Sequence, residues 1–73
     1  MNYDELAKNF GFKVKMSRMK KGMSQTVLAN ILNWQESYLS DVERGKVNVT
    51  LKTISKIADA LGIKEEKLFN FED

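Results

Sequence analysis

The sequence contains no cysteine, no histidine and no proline among its 73 residues. Without thiols it forms no disulfide, which fits a reducing, cytoplasmic setting. Without thiolate or imidazole ligands, a structural zinc site loses its usual donors. No proline marks a linker, and no internal repeat or low-complexity tract divides the chain. No run approaches the roughly 18 consecutive apolar residues of a membrane span. The first residues carry Asp4 and Glu5 and no apolar stretch, so no secretory signal is expected. The whole chain, 1–73, is read as one domain. A core this small needs efficient helix packing, a partner subunit, or both.

Charge is distributed more informatively than its total of +2. Residues 12–24 hold Lys13, Lys15, Arg18, Lys20 and Lys21 and no acid, a block of +5. Residues 44–56 hold Arg44, Lys46, Lys52 and Lys56, a block of +4. If folding brings the blocks together they form one positive face. If not, they are solvated helix surface.

Apolar residues recur at helical spacing, and β-branched residues are few. Leu6, Phe10 and Val14 form one stripe of a first helix, with Phe12, Met16 and Met19 beside it. Gly22 after Lys20-Lys21 reads as that helix's end. Ser24 has the chemistry of an N-cap for a short helix containing Val27, Leu28 and Ile31. Asn33 falls where that helix must turn, and asparagine tolerates left-handed backbone. A third helix is expected from about Gln35 to Glu43, with Leu39 and Val42 inward and Gly45 stopping it. After a loop at 46–49, Thr50 caps a fourth helix bearing Leu51, Ile54, Ile57, Ala58 and Leu61, which Gly62 ends. A last helical segment spans about 64–70. The fold class is therefore all-α, with five short helices and no strands.

The segment 24–43 carries the functional reading. Two helices meet at a tight turn, Ala29 permits close approach, and Leu28, Leu39 and Val42 close the interior. A short helix braced this way can present its outer face to a DNA major groove.

Several segments together resemble the Xre-type, lambda-repressor-like helix-turn-helix domains. They are Lys20-Lys21-Gly22-Met23-Ser24-Gln25, Leu28-Ala29, and Leu39-Ser40-Asp41-Val42-Glu43-Arg44-Gly45-Lys46. Thr50-Leu51 and Ile57-Ala58-Asp59-Ala60-Leu61-Gly62-Ile63 complete the match, which covers about Phe10 to Phe69. The short length is similar to phage repressors, restriction-modification controllers and small antitoxins of this fold.

The resemblance implies a homodimeric transcriptional regulator, a repressor or controller, on a palindromic double-stranded operator. It implies base-facing roles for Gln35, Glu36, Ser37, Tyr38, Ser40 and Asp41. Backbone contacts fall to Ser24, Gln25, Arg44, Lys46 and Asn48. Arg18 and Glu43 match a structural pair joining the first and third helices, and Trp34 a buried position. Leu68, Phe69 and Phe71 lie where such domains dimerise. Glu36 and Asp41 depart from the pattern, because acids beside phosphates oppose nonspecific binding. A carboxylate can still accept a hydrogen bond from cytosine N4. The same acidity keeps a second reading open, an antitoxin or protein-interaction module with weak or no DNA binding of its own. An enzyme is disfavoured: Asp41 and Glu43 supply acids, but there is no histidine, cysteine or glycine-rich loop. No cofactor, metal, membrane or small-molecule partner is expected.

Overall fold

Asn2 opens the first helix by accepting a hydrogen bond from the Glu5 amide at 2.9 Å. Asp4 and Glu5 sit in its first turn and Arg18 and Lys20 in its last, both matching the helix dipole. The structure, a computed structural model, describes residues 1–72. It contains α1 (Tyr3–Lys20), α2 (Gln25–Leu32), α3 (Glu36–Glu43) and α4 (Leu51–Leu61), followed by a 3₁₀ helix, Glu65–Phe69. No strand forms among the described residues. None of their helices is long and apolar enough to cross a membrane.

Each α-helix except α3 opens on a side-chain cap, and all four close locally at their carboxyl ends. Ser24 and Thr50 accept from the Val27 and Thr53 amides, as N-caps should. At the other ends, the amides of Met23, Trp34, Lys46 and Ile63 donate to carbonyls five residues back. That is the Schellman closure, which requires a left-handed residue just past the helix. Asn33 supplies it between α2 and α3, with φ of 61°. The turn that sets the angle between these helices is therefore written in one side chain.

All five elements contribute to one core. Val14, Leu28, Leu39, Val42, Ile57, Leu61 and Leu68 are almost wholly buried. Several expected inward positions lie outside it. Phe12, Met16 and Met19 form an exposed edge of α1, and Leu6 is also exposed. The side of α1 that packs uses Phe10, Gly11, Val14 and Arg18 instead. Val27 and Ile31 are exposed on α2, where Ala29 and Leu32 join Leu28 in the core. Leu51 stands 85% exposed at the start of α4. The last segment is a single short 3₁₀ helix rather than a regular fifth α-helix. Its Leu68 is 0% exposed within the single chain, so it fills this core and is not presented to a partner.

Candidate nucleic-acid interface

The helix pair α2–α3 is anchored from behind by one buried polar cluster. Arg18 projects from α1 and donates from Nε to Glu43 Oε2 at 2.7 Å and from its second terminal nitrogen to Oε1 at 3.1 Å. Its remaining terminal nitrogen donates to the Met23 carbonyl at 2.8 Å. The Arg18 and Glu43 side chains are only 9% and 2% exposed. Burying both ions is costly, so this arrangement depends on every lone pair and proton finding a partner. Each buried side-chain nitrogen and oxygen among the described residues has at least one hydrogen-bond partner. The pair the sequence pointed to is thus in place, and it ties α3 to α1.

A third member was not anticipated. Gln25 Nε2 donates to Glu43 Oε1 at 2.9 Å, which brings the start of α2 beside the end of α3. Thr26, the next residue, donates from Oγ1 to Glu36 Oε2 at 2.8 Å. Consecutive residues in the first turn of α2 therefore hold both ends of α3. Partners at sequence separations of 18 and 10 leave no periodic signal, so only folding reveals them.

The outer face of α3 is presented to solvent. Gln35 is the extended N-cap residue rather than the first helical one. Gln35, Glu36, Ser37 and Tyr38 are exposed, and Ser40 and Asp41 are half-buried. Gln35, Ser37 and Ser40 make no side-chain hydrogen bond among the described residues, so their polar groups are available. Tyr38 stands edge-on to the half-buried Trp34, with ring centroids 4.8 Å apart, which fixes the phenol's direction. Trp34, expected to be buried, is only half-buried and packs against the core from its edge.

The two acids on this helix are both engaged. Glu36 is held by Thr26, and Asp41 pairs with Arg44 at 2.8 Å. Arg44 is thereby drawn back along α3, while Lys46 lies exposed just beyond it. Ser24 commits its hydroxyl to capping, and its neighbouring amides open the amino end of α2. Asn48 is exposed and borders a groove with Tyr3, Leu6 and Phe69.

No cation of the second basic block lines the cleft that lysines of the first block line. Arg18 is buried, and Lys13, Lys20 and Lys21 line a cleft shared with Lys64 and Lys67. Lys46 and Arg44 remain at the end of α3. Charge runs in sequence do not say which side of a helix they occupy.

Comparison with known proteins agrees with this geometry. The family model described as helix-turn-helix matches residues 14–68, which contain all of α2, the turn and α3. Control protein C.BamHI of Bacillus amyloliquefaciens is 44% identical over 63 residues, covering 85% of this chain and 78% of that protein. The crystal structure of the restriction-modification controller protein C.AhdI from Aeromonas hydrophila superposes with a TM-score of 0.82. It is 41% identical and covers 86% of this chain and 96% of that one. The restriction-modification controller protein C.Esp1396I, solved as a tetramer with its natural 35 base-pair operator, gives a TM-score of 0.78. There the identity is 33%, over 88% of this chain and 84% of that one. On the match across 14–68 and on these relatives, the chain belongs to the helix-turn-helix (HTH_3) family.

Proposed function

We propose that this protein is a sequence-specific regulator of transcription that binds double-stranded operator DNA as a two-fold dimer. The carrying observation is the Arg18–Glu43–Gln25 cluster, which holds α3 while Gln35, Ser37 and Ser40 on its outer face make no side-chain hydrogen bond among the described residues. The controller relatives, one of them solved on its operator, support the same reading. Cytoplasmic action and the absence of an enzymatic role follow from it. Gln35, Ser37, Tyr38 and Ser40 read base edges, while Ser24, Gln25, Arg44 and Lys46 meet the phosphate backbone. The acidity of α3 is less obstructive than its sequence suggests, since Arg44 offsets Asp41 and Thr26 aims Glu36.

The test is selection of bound fragments from random duplexes, followed by titration of variants at two salt concentrations. Lys46→Ala should weaken binding to all sequences by similar factors and flatten the salt dependence by about one unit. Ser37→Ala should instead alter preference at one position per half-site, by about 1–3 kcal/mol. Unchanged preferences in every α3 variant would remove this helix as the reading element.

Dimerisation in this reading uses the aromatic surface around the 3₁₀ helix. Phe69 is 40% exposed, stacks at 5.2 Å on Phe10 and approaches Phe71 at 6.3 Å. Tyr3 and Leu6 expose apolar surface beside it. Phe69→Ala should shift sedimentation towards monomer and weaken operator binding with a modest loss of stability. Leu68→Ala should behave differently, costing about 2–5 kcal/mol of folding stability from a core cavity. Wild-type protein that sediments as a monomer, both free and on DNA, would end the dimer reading.

A further inference from the structure

The cleft that collects the displaced lysines is a feature the regulator reading does not use. Its volume is about 520 Å³, and Lys13, Lys20, Lys21, Lys64 and Lys67 line it between α1 and the 3₁₀ helix. At about 100° per helical residue, Lys13 and Lys20 lie roughly 140° and 160° around α1 from Arg18. Arg18 faces α3, so the cleft opens on a different side of the molecule.

We propose that this cleft binds a small anion carrying two or more adjacent phosphates, such as a nucleoside polyphosphate. The charge balance motivates it. Besides Lys13, four lysines line one concavity, Lys20, Lys21, Lys64 and Lys67, and no acid lines it among the described residues. The carboxyl ends of α1 and α4 also lie here, but each supplies only about −0.5 charge, leaving these four lysines with a surplus of about three. Among the described residues Lys20, Lys21, Lys64 and Lys67 make no ion pair. A concave, one-signed surface concentrates field and counter-ions, whereas the same lysines dispersed on convex helices would be screened separately. The volume falls within the roughly 300–1,000 Å³ range of small-molecule sites.

The remaining lining fits the same ligand class. Ser17 and Asn70 add directional hydrogen-bonding groups among the mobile ammonium heads. Met16 and Ile63 supply an apolar patch against which a nucleobase can lie. Lys21 reaches over Gly62, its Nζ 3.9 Å from where a Cβ would stand, so the absence of a side chain there leaves the cleft open. Sequence inspection pointed to no small-molecule site, because residues 13–21 and 62–70 meet only in the fold.

The experiment is titration of the isotopically labelled protein with tripolyphosphate, and separately with ATP, at constant ionic strength, followed by amide shifts. Saturable changes at Ser17, Ile63 and Asn70 are expected. The double variant Lys64→Ala/Lys67→Ala should keep its thermal midpoint and bind at least about tenfold more weakly. Tighter binding of ATP than of tripolyphosphate would place a base on the Met16–Ile63 patch. Equal affinities would support the site with the phosphate chain alone as its ligand. Shifts confined to Ser24, Gln25 and α3 would overturn the proposal, since the anion would then be imitating a DNA backbone. So would undiminished binding by the double variant, or no saturation at millimolar concentrations.

Discussion

Gly11→Ala is expected to destabilise the protein by about 3 kcal/mol or more. Two effects compete at this position. Alanine is the better helix former by about 1 kcal/mol, and Gly11 lies in the middle of an 18-residue helix. Against that, a Cβ at residue 11 would stand 2.3 Å from the Val42 carbonyl oxygen and 2.6 Å from that of Glu43. Both obstacles are backbone atoms at the end of α3, which cannot rotate aside as a side chain would. Relief requires α1 and α3 to separate, and the Arg18–Glu43 bonds oppose that. Steric exclusion wins. A domain of this size has little stability in reserve, so the variant should be largely unfolded at moderate temperature. Urea unfolding followed by circular dichroism measures the effect. A variant as stable as wild type would mean that the two helices do not touch at Gly11.

Glu43→Ala should cost about 3–5 kcal/mol, because it leaves the Arg18 guanidinium buried with its best acceptor gone. Gln25 loses its partner in the same change. The figure measures the penalty of an orphaned charge, not the net worth of the pair. A double-mutant cycle with Arg18→Met and Glu43→Gln separates the two. Each single change should be damaging, and the double variant should lose clearly less than their sum, a coupling of about 1–3 kcal/mol. Strict additivity would show that the two side chains do not act on each other. An exposed pair such as Asp41–Arg44 should by contrast contribute about 0–1 kcal/mol when broken.

What was legible in the sequence was local. Ser24, Thr50 and Asn33 act within one turn of themselves, so their identities alone place two helix starts and the turn between α2 and α3. The inner residues of α3, Leu39 and Val42, were also readable from their spacing. The apolar edges were not. Val27, Ile31 and Leu51 sit next to buried rows on their helices, and periodicity cannot tell a buried row from its neighbour. Gly11 gave no sign of its purpose, because a glycine inside a helix is explained only by the helix that lies across it. The Arg18–Glu43 pair was reached through family resemblance. The Gln25 and Thr26 bonds, and the meeting of five lysines, depend on chain segments far apart in sequence.

The grip of α2 on both ends of α3 has a metric consequence for reading DNA. Gln25 and Thr26 belong to the helix end whose amides would meet a phosphate, and the same two residues fix Glu43 and Glu36. The point of attachment and the reading surface are then joined as one gauge by two side-chain hydrogen bonds. Successive base pairs are about 3.4 Å apart. Any displacement of the phosphate contact by that distance would carry every α3 side chain forward by a full base step. Such a gauge cannot adjust itself to a neighbouring sequence. Under the proposed function, selectivity within each half-site would come partly from this refusal to bend.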